Sequence, residues 1–147
     1  MVTVSNPAPF GLADYAVVYL EFEAPQKEDI AGLSVSIEPL PSYDVEAGRF
    51  ILDLDIVVSY KAEQTLLRLG MSFLFQFQAG LPLADIPPYF YQNSVAIVYP
   101  YIRATASSVV MLSNRQSLIL PLLNLVEVGN RIKEIMHSDT SSDSATN

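Results

Sequence analysis

Two alternating runs, Arg49 to Lys61 and Leu67 to Ala79, are joined by a turn too short to hold a crossover helix. That feature alone commits the chain to an antiparallel sheet. In the first run Phe50, Leu52, Leu54, Ile56, Val58 and Tyr60 share one face, while Asp53, Asp55, Ser59 and Lys61 share the other. In the second, Leu67, Leu69, Met71, Phe73, Phe75, Phe77 and Ala79 oppose Arg68, Ser72, Gln76 and Gln78. A period of two with one wet side marks strands half covered by protein. Two shorter runs precede them. Tyr15 to Glu23 places Ala16, Val18, Leu20 and Phe22 on one side and Tyr15, Val17, Tyr19, Glu21 and Glu23 on the other. Leu33, Val35 and Ile37 alternate with Ser34, Ser36 and Glu38 until Pro39 and Pro41, which are expected to close that strand. Met1 to Gly11, with two prolines and no period, reads as a flexible arm.

Beyond the fourth run the period changes. Gly80 to Pro88 holds Pro82, Pro87 and Pro88, so it is a loop, yet it carries Leu81, Leu83 and Ile86 and runs into Tyr89, Phe90 and Tyr91. Loops are seldom so apolar. Either it folds down on the core, or it edges a groove for extended apolar peptide. Tyr89 to Ile97 reads as a first helical segment, with Pro100 in the first turn of a main helix that starts near Val98. Val98, Tyr101, Ile102, Thr105, Val109 and Leu112 form its expected apolar stripe, and the small residues Ala104, Ser107 and Ser108 suit packing across a subunit interface. Leu118 to Leu125, broken by Pro121, is too apolar for water and too short for a bilayer. Val126 to Met136 has helical spacing, and the polar stretch after it is expected to be disordered. Four strands followed by helices give an α+β fold, a four-stranded antiparallel sheet with helices packed on one face. The chain divides into one domain, residues 1–137, and a tail, residues 138–147.

Several functions are excluded by what the chain lacks. It has no cysteine and one histidine, His137, at the edge of the tail, so no nucleophile, base and orienting group can be assembled on a rigid element. The glycines are isolated and form no phosphate-cradling loop. A net charge of -8 repels nucleic-acid backbones. Asp53 and Asp55 share a strand face, as a carboxylate pair for a hard cation would, but no third carboxylate lies near in sequence, so the face reads as solvated. No apolar run reaches a membrane-spanning length, no signal-peptide layout is present, and a cytoplasmic protein is expected. Half the residues are hydrophobic and only 16% charged, against about a quarter charged in ordinary domains. Some of that apolar surface should lie in an interface or a groove.

Pro100, Tyr101, Ile102 and Arg103, then Leu120, Pro121, Leu122, Leu123, Asn124 and Leu125, together with Phe22, Glu23, Ala24 and Pro25 near the start, form an ordered set spanning most of the chain. The set resembles the signature of the SecB family of protein-export chaperones. Ile102 stands where the family commonly has alanine, and Leu122 and Leu123 where it has a proline-valine pair. The resemblance implies an ATP-independent holdase without cofactors that binds unfolded polypeptide, such as preproteins for export, in apolar grooves. It also implies dimers joined at sheet edges and paired into tetramers. Client-binding residues would be Phe75, Phe77, Leu81, Leu83, Ile86, Tyr89, Phe90, Tyr91, Leu122 and Leu123. The face that docks the SecA translocase motor would carry Glu21, Glu23, Asp53 and Asp55. The oligomer interface would hold Tyr15, Val17, Ala104, Ser107, Ser108 and Met111. Only Glu23 matches the family's usual motor-docking acids; Tyr19 and Gly70 stand where two others would be, and Arg68 replaces an apolar residue. The alternatives are a SecB-like chaperone for another client, such as an antitoxin, and a passive oligomerisation or adaptor domain.

Overall fold

The matched faces of the two long runs pair as their periods require. In the computed structural model, which describes residues 1–3, 8–24, 32–60, 64–114, 120, 121 and 123–142, the strands are β1 (Gly11–Phe22), β2 (Leu33–Asp44), β3 (Arg49–Tyr60) and β4 (Gln64–Gln76). Two helices follow, α1 (Phe90–Leu112) and α2 (Val126–Ser142), after a single 3-10 turn at Leu83–Asp85. The sheet is antiparallel throughout in the order β1-β4-β3-β2. Phe50 stands opposite Phe75, Leu52 opposite Phe73, Leu54 opposite Met71 and Ile56 opposite Leu69, and none of these eight is more than 2% exposed. Both helices lie over this face, α1 against β4 and β1 and α2 against β2, so the fold is α+β as the order of elements implied.

The aromatic centre of the core sits at the N-terminal end of α1. The Phe90 ring meets Phe77 at 4.8 Å, Phe50 at 4.9 Å and Phe75 at 5.3 Å, each edge-on, the geometry that aligns a ring's positive rim with another's negative face. Phe10 completes the cluster 4.8 Å from Phe90. The end of the expected flexible arm is therefore anchored. Tyr91, also buried, finds no hydrogen-bond partner for its hydroxyl among the described residues, and burial pushes its phenol pKa up. Tyr91→Phe removes an unsatisfied buried group while keeping the ring, so it should leave stability unchanged or raise it by up to about 1 kcal/mol in urea denaturation.

Four local expectations give way to tertiary context. β1 pairs Val17 with Met71 but Tyr19 with Gly70, so Val18 is an extra residue and the strand changes parity there; a second irregularity lies between Leu12 and Asp14. Tyr15, Val17, Leu20 and Phe22 consequently share the helix side, not the sides that strict alternation assigned. β2 does not stop at Pro39 but runs through both prolines to Asp44. It can do so because it is an edge strand, where an absent N–H costs no ladder bond if it would have pointed outward. α1 is one helix of 23 residues with Pro100 inside it, not a segment begun by that proline. Pro100 and Ala96, whose carbonyl loses its donor, are both exposed, so water can take the missing bond. The buried stripe is correspondingly Val95, Val98, Tyr99, Ile102, Ala106 and Val110, with Tyr101 and Leu112 exposed. Finally, α2 continues five residues into the expected disordered tail, to Ser142.

By length and apolarity α1 could cross a membrane, a length that counting uninterrupted apolar residues missed; here one side of it is buried in the core. Gly129 explains its own presence in α2. A Cβ there would lie 2.8 Å from the Gln92 Cα, so the glycine permits the close crossing of α2 on α1.

Candidate polypeptide-binding groove

The segment before α2 is tethered at both ends. Leu120 is fully buried, and the Tyr99 hydroxyl donates to the Pro121 carbonyl at 2.5 Å. Burial raises the Tyr99 phenol pKa, with Arg103 acting in the opposite direction. At the other end the Asn124 Oδ1 accepts the Val126 N–H at 3.2 Å, satisfying one of the donors that a helix start leaves open. The leucine-proline-asparagine pattern thus has a mechanical reading: a leucine plug, a proline whose carbonyl is clamped, and an asparagine that starts α2.

Between this segment and β2 runs a groove of about 390 Å³. Val35, Ile37 and Pro39 line it from β2, Leu123, Asn124 and Leu125 from the tethered segment, and Glu127, Val128 and Arg131 from α2. Val35, Ile37, Leu123, Leu125 and Val128 are half-buried, packed against the core on one side and open on the other. Arg131 is held 3.6 Å from Glu134, one turn along α2, and with Glu127 and Asn124 it gives the groove a polar rim around the half-buried aliphatics. This lining suits aliphatic side chains of an unfolded chain.

Among the described residues of the expected client-binding set, Leu123 alone lies here. Phe75, Phe77, Phe90 and Tyr91 are core, because the alternation of β4, continued by Phe77, and the first turn of α1 aim them at each other, and Ile86, just after the 3-10 turn, is buried with them. Leu81 and Leu83 are half-buried against that core, and the Tyr43 hydroxyl, donating to the Leu81 carbonyl at 2.6 Å, holds the loop down. Burial also raises the Tyr43 phenol pKa. Tyr89 is exposed beside Phe10, and Leu122 is outside the described residues. Val35, Ile37, Leu125 and Val128 line the groove but are not in the expected set. Their signal was present in the short Leu33, Val35, Ile37 alternation, but nothing local says that this face would be only half covered.

The outer face of the sheet carries the expected motor-docking residues. Across one row stand Tyr19, Gly70, Asp55 and Glu38, in that order. Gly70 has no side chain, so the Tyr19 ring lies across it, where a Cβ would come within 2.2 Å, and the hydroxyl donates to Asp55 Oδ1. That hydrogen bond to the carboxylate is the main cause raising the Tyr19 phenol pKa. Arg68 Nη2 approaches Asp55 Oδ2 at 3.7 Å. Asp55 is thereby engaged from two sides, which offsets the like charge of Glu38 opposite it. Glu21 stands beside Arg68, Glu23 lies just past the end of β1, and Asp53 faces Leu40 and Ser72. A shallow concavity of about 460 Å³ joins Tyr19, Glu38, Leu40, Asp53 and Asp55 on this face.

The expected interface residues gather on a third surface. Tyr15 and Val17 on β1 and Ala104, Ser108 and Met111 on α1 are exposed, with Ser107 half-buried. The ring of Tyr15 lies 4.8 Å from that of Tyr101, joining strand and helix into one apolar strip that also includes Ile97.

No protein-family model matches the chain. An uncharacterized protein of Methanocaldococcus jannaschii is 28% identical over 135 residues, 87% of each chain. Among solved structures, a SecB-like chaperone of Mycobacterium tuberculosis, in complex with a ChAD peptide from the HigA1 antitoxin, superposes with a TM-score of 0.62 at 15% identity, covering 79% of this chain and 91% of that one. A Streptococcus agalactiae protein of unknown function gives 0.51 at 11% identity, covering 77% and 97%. The chain has the fold of the SecB-like chaperones.

Proposed function

We propose that this protein is a cytoplasmic SecB-like chaperone that holds unfolded polypeptide in the groove between β2 and the Leu123 to Arg131 segment, without ATP and without catalysing a reaction. The observation that carries the reading is that groove: five half-exposed aliphatic residues on a fold whose M. tuberculosis counterpart was solved with an antitoxin peptide. Apolar burial gains roughly 25 cal/mol per Å² with little sequence specificity, and binding the unfolded form shifts a client away from aggregation. The strip from Tyr15 to Met111 would be covered in a dimer of dimers, which light scattering tests directly.

The purified protein should suppress aggregation of a chemically denatured model substrate at near-equimolar ratio with no nucleotide present. Leu123→Asp, which places a charge in the groove wall, should weaken suppression about tenfold with little change in melting temperature. Failure of the wild type at several-fold excess would reject the reading.

For the client, a dedicated partner such as an antitoxin is favoured over preproteins delivered to the SecA motor. The outer face supports this: Asp55 is engaged by Tyr19 and Arg68, and Gly70 supplies no acid. Calorimetric titration with a SecA motor should give no heat of binding; micromolar affinity would restore the export reading.

A further inference from the structure

Among the described residues nothing pairs with the outer edge of β2. Successive N–H groups of an antiparallel strand point to opposite sides. Pro39 and Pro41, opposite Leu54 and Leu52, have no N–H and share one parity, so that parity is the one facing away from β3. Leu33, Val35 and Ile37 have the same parity and present N–H and C=O groups to the open edge. Ser36 lines the groove too, although its side chain belongs to the opposite sheet face from Val35 and Ile37. The backbone at 35–37 therefore forms part of the groove wall. The other edge is less suited to pairing, since β1 is interrupted by two register shifts.

We infer that the occupant of this groove is an extended polypeptide segment that adds as a further strand to β2 at Leu33–Ile37, with every second side chain directed between Val35 and Ile37 on one side and Leu123 and Val128 on the other. The inference rests on the proposed chaperone reading and names its mode of recognition. Pro39 and Pro41 supply no donors, so pairing ends before them and the bound stretch is about five residues long. A helical or folded segment is not accepted, because its backbone groups are already satisfied within itself. Specificity then reduces to alternation: apolar residues at one parity, any residue at the other.

The test uses a fluorescein-labelled ten-residue peptide of alternating leucine and serine, titrated with the full-length protein by fluorescence anisotropy. Two further peptides carry N-methyl groups at alternate residues, one on each parity. The parity that faces β2 should lose at least about tenfold in affinity and the other less than about threefold. Equal affinities of the two methylated peptides, whether both retained or both lost, would overturn strand addition. Val35→Pro, which removes one outward donor, should bind the parent peptide about fivefold more weakly than Val35→Ala; equal binding would also overturn it. A change in molecular mass of Val35→Pro by light scattering would assign the edge to a second copy of the chain instead. If the wild type binds none of the peptides, the groove reading itself falls and this inference with it.

Discussion

Phe90→Ala will destabilise the protein by about 3–5 kcal/mol, whereas Tyr89→Ala, one residue earlier, will cost less than about 1 kcal/mol. The two aromatics are indistinguishable in sequence. In the structure Phe90 is fully buried within a ring of Phe10, Phe50, Phe75 and Phe77, while Tyr89 is 52% exposed. Removing Phe90 leaves a cavity bounded by two strands and the start of α1, none of which can close it without breaking sheet pairing. Urea denaturation followed by circular dichroism reads both values. If Phe90→Ala were as stable as Tyr89→Ala, the aromatic centre would not be closed, and Phe75, Phe77 and Phe90 would return to the set available to a client.

Gly48→Val will cost about 3 kcal/mol or more, and Gly80→Ala about 1–2 kcal/mol. Both glycines have positive φ, 67° and 83°. They differ in surroundings. A Cβ on Gly48 would lie 2.6 Å from the carbonyl oxygens of Phe77 and Gln78, backbone atoms that cannot swing aside, whereas one on Gly80 would meet nothing within 4 Å. The β2–β3 turn is clamped at this point: the Phe77 N–H donates to the Gly48 carbonyl at 2.7 Å, the Gly80 N–H to that of Val45 at 2.8 Å, and the Gln76 amide to that of Ala47 at 2.8 Å. Valine at position 48 breaks the seam that also aims Phe77 into the core. Equal losses from the two substitutions in urea denaturation would mean that φ alone matters and the seam contributes nothing.

The binding reading separates from these stability effects because its residues are half-exposed. Leu123 and Val35 can be changed with the aromatic centre intact, so lost client affinity with an unchanged melting temperature isolates the groove. Most of the aromatic residues that the resemblance implies for client binding lie in that buried centre. The largest rings, Phe75, Phe77, Phe90 and Tyr91, are the ones the fold buries first, since they exclude the most water. The groove is left with medium-sized aliphatics from a strand edge and a helix turn.

What could be read from the amino-acid order alone was the repetition that runs without interruption. The strict alternation of Phe50 to Val58 and Leu67 to Phe77 set the central hairpin and its buried face, and helical spacing from Val126 located the last helix. What only the assembled fold decided were the questions of neighbourhood. Pro39 and Pro41 end a central strand but not an edge strand, Pro100 stops a helix unless the Ala96 carbonyl it leaves open faces water, and an extra residue at Val18 reverses the faces of β1. Each outcome depends on which groups lie beside the residue in space. Periodicity is local because a strand or helix repeats along its own axis, whereas burial is a property of what packs across it, and that is settled only when β2 meets α2.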